Sequence, residues 1–281
     1  MRPGPRKKSL VAAVAAALAL APAGASAPQL QGTIANGTFA SAAGTLGYDV
    51  YLPPAYATSG LRYPVVYYLH GLPAGPLAYE TFGYVARAVE QAGLQLIVVA
   101  PQGATQADPD PEYLDAGPGR DWETAIAVQL PHVIDSLYRT IPDRTGRALV
   151  GVSAGGYGAM LLGLHHLGLF GGIESWSGYF HPTDPTGTRS ISSRPWLSAH
   201  TFVASLRRAF AVHPTFLGYY VGSLDTRFRA ENVEFARELS QAKVPFLFRM
   251  YPLGHTQALW TAQAPPWLAL LASRLAAPEA G

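Results

Sequence analysis

The architecture of this chain is set by the stretch Ala148-Leu149-Val150-Gly151-Val152-Ser153-Ala154-Gly155-Gly156-Tyr157-Gly158, which has the pattern of a buried strand, a sharp turn and the start of a helix. Ser153 stands at the tip of the turn, with Gly151 and Gly155 two residues away on either side. A Cβ at either glycine would clash where strand and helix nearly touch. Ser153 is therefore predicted to adopt a strained backbone geometry that costs about 1–3 kcal/mol, and it is the candidate nucleophile.

Strand and helix patterns alternate on both sides of this turn. Strands are predicted at residues 30–40, 46–52, 63–69, 94–100, 148–150, 172–176, 215–221 and 245–251. Helices are predicted directly after the turn and at residues 79–92, 122–138, 227–241 and 256–276. This alternation predicts the α/β class, with a mostly parallel sheet and helices on both of its faces.

Two segments depart from the alternation. The first two strands carry turn signals at Asn36-Gly37 and Ala43-Gly44, and they are expected to pair as antiparallel strands or hairpins. Residues 177–213 have no regular pattern and are interpreted as a cap or loop segment over the site. With 281 residues, 49% of them hydrophobic, and no recognisable linker, the chain suits one large domain at residues 28–281.

The first residues have the pattern of a secretory signal peptide, predicted at residues 1–25. Four basic residues precede an apolar run from Leu10 to Ala21, which is shorter than the ~20 residues that a membrane-spanning helix needs. Cleavage is expected after Ala25 or Ala27, and Ala25 is favoured because the second cut would leave Pro28 at the new terminus. The mature protein is expected to be secreted, extracellular or in the cell envelope, without a stable membrane span.

Composition excludes several kinds of chemistry. The chain has no cysteine, so disulfides, a thiol nucleophile and cysteine metal ligands are impossible. Removal of the leader takes four of the 20 basic residues and leaves 16 against 18 acidic ones, which predicts no nucleic-acid partner. The sequence lacks the His-Glu-x-x-His, Gly-x-x-x-x-Gly-Lys and dinucleotide-binding motifs, so no metal and no cofactor are expected.

A serine nucleophile needs a base that accepts its proton, and the best base is a histidine. His255 follows the predicted strand 245–251 at the sheet edge where such a base is expected. Six other histidines lie in predicted helices or in the segment 177–213. His70 ends an earlier strand, a position that suits an oxyanion-binding loop better than a base. His255 is therefore the candidate base.

The base needs a carboxylate to orient it, and the oxyanion of the reaction needs two N–H donors. Asp225 follows the strand at 215–221 and is the candidate acid. Glu231, expected in the next helix, stays open as the alternative. The candidate oxyanion donors are the backbone N–H groups of Ala154, directly after the nucleophile, and of Leu72, in the turn after an earlier central strand.

These residues resemble motifs of the esterase-D and antigen-85 family of α/β-hydrolases over about residues 47–260. The matching segments are Tyr67-Tyr68-Leu69-His70-Gly71, Trp122-Glu123-Thr124, Gln129-Leu130-Pro131, Gly151-Val152-Ser153-Ala154-Gly155-Gly156-Tyr157-Gly158-Ala159, Gly222-Ser223-Leu224-Asp225 and Gly254-His255 with Trp260. The resemblance implies the α/β-hydrolase fold and a serine enzyme that transfers acyl groups through an acyl-enzyme.

Three functions are open within that resemblance. Esterase members hydrolyse small-molecule esters, whereas antigen-85 members move acyl groups between glycolipids and use glutamate as the acid. Asp225 is better placed than Glu231, which favours a carboxylic ester hydrolase over an acyltransferase to a sugar or glycolipid. Some relatives only bind at the cell surface, but the presence of Ser153, Asp225 and His255 argues against a non-catalytic binding protein.

Overall fold

An eight-stranded sheet forms the centre of the structure, a computed structural model that describes residues 29–184 and 186–281. The strands stand in the order β1-β2-β4-β3-β5-β6-β7-β8. Strands β3 to β8 run parallel, and β1 and β2 are antiparallel additions at one edge. The bounds are β1 Thr33–Ser41, β2 Gly44–Leu52, β3 Val65–Leu69, β4 Ile97–Pro101, β5 Arg147–Val152, β6 Gly172–Trp176, β7 Phe216–Gly222 and β8 Leu247–Tyr251. The predicted mostly parallel sheet is confirmed, whereas the predicted leader at residues 1–25 lies outside the described residues.

Helices cover both faces of the sheet. The α-helices are α1 Tyr56–Ser59, α2 Gly83–Gln91, α3 Leu130–Leu137, α4 Ala154–His165, α5 Val203–Val212, α6 Arg229–Gln241 and α7 Gln257–Ala272. Short 3-10 helices span Ala78–Phe82, Arg144–Gly146, Pro195–Leu197 and Ala199–Phe202. Buried residues of α2 and α7 share one core with one face of the sheet, and those of α3 to α6 pack on the other face. Across the described residues, none of the helices combines the length and apolar character needed to cross a membrane.

The N-terminal hairpin turns at only one of the two predicted places. β1 and β2 pair continuously from Thr33 with Leu52 to Ser41 with Gly44, so the chain reverses at Ala42-Ala43. Asn36-Gly37 lies inside β1 instead of in a turn. The reason is a neighbouring aromatic ring: a Cβ on Gly37 would meet the hydroxyl oxygen of Tyr48 at 2.5 Å. Because Gly37 has no side chain, it leaves room for the Tyr48 ring of the opposite strand.

The segment 177–213 is more regular than its sequence pattern indicated. Residues 203–212 form α5, which buries Val203, Leu206 and Phe210 on one side. These positions have the spacing of an amphipathic helix. The expectation of an irregular chain through residue 213 was wrong for this part, because the prolines that dominate the segment lie before the helix begins.

The predicted helix at residues 122–138 is divided into two kinds of helix. Thr124–Gln129 is a π-helix, and α3 continues from it with Pro131 in its first turn. Proline lacks the N–H that a regular α-helix would use at this point, and its fixed φ suits the first turn of a new helical segment. The helix type therefore changes just before Pro131.

Candidate active site

The turn between β5 and α4 holds Ser153 in a backbone conformation that residues other than glycine rarely adopt. Its φ is +56° and its ψ is −122°. A Cβ on Gly151 would lie 2.0 Å from the carbonyl oxygen of Gly155, and a Cβ on Gly155 would lie 2.0 Å from that of Leu69. The N–H of Ser153 donates to the carbonyl of Trp176 at 3.0 Å, which ties the turn to β6. The sharp strand-to-helix turn presents the Ser153 hydroxyl at the carboxyl edge of the sheet.

Three side chains from separate loops meet at this edge. His255 Nε2 lies 2.9 Å from Ser153 Oγ, and His255 Nδ1 lies 2.8 Å from Asp225 Oδ2. The loops that carry them follow β5, β7 and β8, which are parallel, so their carboxyl ends share one edge of the sheet. With Nδ1–H donating to the carboxylate, Nε2 carries the lone pair that faces the hydroxyl.

Asp225 is held as a carboxylate in a buried position. Its side chain is 1% exposed. Oδ1 accepts hydrogen bonds from the N–H groups of Arg227 at 3.1 Å and Phe228 at 3.2 Å, so both oxygens have partners. Burial alone would raise the pKa of Asp225, but the hydrogen bond and charge of His255 and the two backbone N–H groups outweigh it and lower the pKa. The carboxylate can therefore stabilise a positive charge on the imidazole.

Aromatic rings fix the orientation of the His255 imidazole. The ring of Trp260 stands at 88° to it with centroids 5.1 Å apart, and the ring of Phe228 is 5.3 Å away. Trp260 is held in turn, because its Nε1–H donates to Ser177 Oγ at 3.1 Å. The His255 side chain is 13% exposed, so the two rings shield an imidazole that still reaches the crevice.

Of the two predicted oxyanion donors, Ala154 directly follows Ser153 and Leu72 lines the same crevice. Within the described residues, neither the Leu72 N–H nor the Ala154 N–H has a hydrogen-bond acceptor. Ala154 is the first residue of α4, where backbone N–H groups have no acceptor inside the helix. Gly71 brings its chain so close that a Cβ there would lie 3.3 Å from the Ser153 Cβ. A developing oxyanion at Ser153 needs two such N–H donors.

His70 holds the loop before Leu72 in place. Its Nδ1–H donates to the carbonyl of Gly71 at 2.9 Å, and its Nε2 accepts from the N–H of Gly103 at 3.0 Å. Burial lowers the pKa of His70, against a smaller opposite effect of the Gly71 carbonyl, so the ring is neutral. Both ring nitrogens are engaged, which leaves His70 a structural role and none as a base.

Glu231, the alternative acid, does not contact His255. It lies in the first turn of α6, where its Oε1 accepts from the Phe180 N–H at 3.0 Å and faces the rings of His181 and His200. These three side chains are the group of the described residues whose donor atoms stand close enough together to hold a metal ion. The structure therefore brings Asp225 to the site and keeps Glu231 in another cluster.

The crevice over Ser153 has a volume of about 380 Å³, within the range of small-molecule sites. Its walls come from the loop after β3, from α2 and from the chain around residues 227 and 255–260, whereas none of its lining residues lies in the segment 177–213. Trp176, Tyr179 and Phe180, at the end of β6 and the start of that segment, are buried in the core. Sequence reasoning missed the wall made by Tyr68 and Tyr84, whose hydroxyls are 2.6 Å apart.

Comparison with known proteins gives one family and several relatives. Residues 41–272 match the family described as "Putative esterase". Esterase MT1326 of Mycobacterium tuberculosis is 36% identical over 133 residues, which are 47% of this chain and 29% of that protein. The MPT51/MPB51 antigen of Mycobacterium bovis is 30% identical over 151 residues, 53% of this chain and 47% of that protein. The matches thus span less than a third and less than half of these curated relatives.

The fold has close counterparts among solved structures. A ferulic acid esterase superposes with a TM-score of 0.74 at 23% identity, covering 88% of this chain and 99% of that chain. Together with the sheet order and the antiparallel first strands, this similarity confirms the predicted α/β-hydrolase fold.

Proposed function

The chain belongs to the esterase family that its residues 41–272 match, and on that premise we propose that it is a serine carboxylic ester hydrolase. The observation that carries the proposal is the unbroken line of contacts from Asp225 through His255 to Ser153, at 2.8 and 2.9 Å. A serine hydroxyl becomes an effective nucleophile when an oriented imidazole accepts its proton.

The first half-reaction forms an acyl-enzyme. Ser153 Oγ attacks the ester carbonyl carbon while its proton moves to His255 Nε2, and the carbonyl oxygen becomes an oxyanion. The N–H groups of Leu72 and Ala154 stabilise that charge, and each such donor contributes about 3 kcal/mol to lowering the barrier. Asp225 stabilises the imidazolium. The C–O bond to the alcohol then breaks, and the alkoxide leaves with the proton from His255 Nε2.

The second half-reaction returns the enzyme to its starting state. A water molecule gives its proton to His255 Nε2 and attacks the acyl carbon through the same oxyanion arrangement. The bond to Ser153 Oγ breaks, the serine takes back the proton from His255, and the carboxylic acid is released. No cofactor or metal takes part in this scheme, since every proton and electron pair is accounted for by the three side chains and water.

The crevice volume indicates a substrate class, and the start of the sequence indicates a location. We infer a small-molecule ester as the substrate, because the crevice of about 380 Å³ lies at the small end of ligand sites; a glycolipid ester would enter with only its acyl end. The basic and apolar start of the sequence supports secretion or release into the cell envelope, and the charge balance after the leader supports no nucleic-acid partner.

Replacement of the proposed nucleophile tests this function. With p-nitrophenyl acetate or butyrate as the substrate, Ser153→Ala is expected to lose about 10⁵-fold or more in kcat, as serine triads do without their nucleophile. Ser205→Ala, which removes an exposed hydroxyl from α5, serves as the control and should keep the wild-type rate. A wild-type protein that is inert toward these esters would instead support a non-catalytic cell-surface binding protein.

Acyl transfer to a sugar or glycolipid is the second candidate, and the match with the MPT51/MPB51 antigen is compatible with it. The same acyl-enzyme would then be attacked by a sugar hydroxyl in place of water. Addition of trehalose or another polyol to the ester assay separates the two, because a transferase yields acylated sugar whereas a hydrolase yields only the free acid.

A further inference from the structure

We propose that His181, His200 and Glu231 form a binding site for Zn²⁺, separate from the Ser153 crevice. His181 lies in the loop after β6, His200 in the 3-10 helix Ala199–Phe202, and Glu231 in the first turn of α6. Each offers one ligand atom, and these atoms all lie within 4.8 Å of one another. None of the three residues lines the crevice.

Too many groups converge on one oxygen of Glu231. His181 Nδ1 is 2.5 Å from Oε1, the Phe180 N–H donates to it at 3.0 Å, and His200 Nε2 is 3.3 Å away. A carboxylate oxygen has two lone pairs, so it cannot accept three good hydrogen bonds at once. A cation among the three side chains would take over the interactions with both rings and leave Oε1 to the backbone N–H.

The ring of His200 is oriented as metal-bound histidines are. Its Nδ1 lies 2.6 Å from Glu238 Oε2, and its Nε2 faces Glu231. A neutral imidazole has a single N–H. If Nδ1–H donates to Glu238, Nε2 faces a second carboxylate, and this arrangement becomes favourable when the ring takes a second proton or when a cation lies between the two atoms. A carboxylate on the far nitrogen is the usual support of a histidine that binds a metal.

The donor set fits zinc in number and geometry. Two imidazoles and one carboxylate, with water in the fourth position, are a common zinc coordination. Ligand atoms of a tetrahedral zinc ion stand about 3.3 Å apart when the bonds are about 2.0–2.1 Å, and His200 Nε2 already lies 3.3 Å from Glu231 Oε1. His181 has to withdraw by about 0.8 Å, and its side chain is 37% exposed and free to do so. That exposure also leaves a path for the ion and for water.

The three ligands come from segments that are well separated in the sequence, and a zinc ion at this place would connect these segments. It would tie the loop after β6 and the 3-10 helix before α5 to the start of α6, close behind the Asp225 loop. Its charge would offset the two carboxylates Glu231 and Glu238 that flank His200. We therefore assign the site a stabilising role. The proposal does not depend on ester hydrolysis, and its readouts do not use it.

Zinc binding to the full, tag-free protein tests the proposal. After equilibration with ZnCl₂ and dialysis, elemental analysis should give one zinc per chain for the wild type. Zinc at about 100 times its Kd should raise Tm by about 5–10 °C. Glu238→Gln should weaken binding by about 10–100-fold, since it removes only the support of His200, and His200→Gln should weaken it further.

A control variant and a crystallographic measurement make the result decisive. His165→Gln removes a histidine from the cluster in which His165 and His166 both contact Glu123, and it should still bind one zinc per chain. Crystals of the wild type grown with zinc should show an anomalous peak bounded by His181, His200 and Glu231, a measurement that needs no variant to fold. A wild type with less than about 0.1 zinc per chain, equal binding by His200→Gln, or a peak elsewhere would each overturn the site.

Discussion

His255 Nε2 lies 2.9 Å from Ser153 Oγ although the two residues are 102 positions apart in the chain. β6 and β7 stand between the strands that deliver them. Their contact therefore depends on the parallel register of four strands, which sets how far each loop projects from the sheet edge. Changes far from either side chain should alter activity whenever they shift that register or the turns that end the strands.

Asp225 and Glu231 should behave differently when each loses its charge. Asp225→Asn is expected to lower kcat toward p-nitrophenyl butyrate by about 10³–10⁴-fold, because the amide neither stabilises the imidazolium nor fixes its tautomer. Glu231→Gln should retain at least about a tenth of the wild-type kcat, since Glu231 does not touch His255. A larger loss in Glu231→Gln than in Asp225→Asn, with both proteins folded by circular dichroism, would make Glu231 the acid.

Gly155 should be intolerant of even one methyl group. In Gly155→Ala the new Cβ would stand 2.0 Å from the carbonyl oxygen of Leu69, a backbone atom that cannot rotate away. The turn between β5 and α4 must open, so we expect a loss of about 3 kcal/mol or more in unfolding free energy and a Tm lower by about 6–12 °C. Gly168→Ala is the matched control, because nothing lies within 4 Å of its Cβ position. Equal Tm values for the two variants would contradict the close approach.

Much of the fold could be predicted because local pattern and tertiary environment agree. β6, at Gly172–Trp176, has the predicted bounds, and all five of its residues are buried, as in a strand that is covered on both faces. The loops after β5, β7 and β8 could be placed for the same reason. The helix Val203–Val212 also has the apolar spacing of an amphipathic helix at its buried positions. The prolines in the preceding residues led to the prediction of an irregular segment instead.

Other features had no local signal. The place of Gly37 inside β1 depends on the ring of Tyr48 from the opposite strand, and the walls of the crevice at Tyr68 and Tyr84 depend on a helix that packs across a strand end. The contacts of Glu231 with His181 and His200 join residues 50 and 31 positions apart. Sequence spacing cannot reveal such contacts, because they arise only when separate segments pack together.

The crevice should select esters by the length of the acyl chain. Because its volume is about 380 Å³, we expect kcat/KM to be higher for p-nitrophenyl butyrate than for the octanoate and palmitate esters. Tyr84→Ala removes part of the wall, so it should raise the octanoate-to-butyrate ratio of kcat/KM by about tenfold, the scale on which apolar pockets discriminate. The ratio is measured within each protein and is insensitive to the folded fraction. An unchanged ratio would show that the acyl chain lies elsewhere.

Glu123 should stabilise the protein most at mildly acidic pH. Its Oε1 contacts both His165 Nδ1 and His166 Nε2 at 2.8 Å. Burial alone would raise the pKa of Glu123, but the hydrogen bonds and charges of the two histidines lower it from 4.5 to about 2. Burial also opposes the charge on His165, but the hydrogen bond and charge of Glu123 raise the pKa of His165 above 6.5.

The sign of the pH effect follows from these two shifts. A lowered carboxyl pKa contributes stability above about pH 4.5, and this contribution is lost as the pH falls toward 2; a raised histidine pKa contributes stability below 6.5, and this is lost as the pH rises through the folded value. Glu123→Gln should therefore lower the unfolding free energy most near pH 5.5, by on the order of 2 kcal/mol, and less at pH 3 and pH 9. Tm measured across this range checks the curve, with the exposed Glu80→Gln as the control. A difference from wild type that is constant with pH would mean that the charged cluster does not contribute to stability.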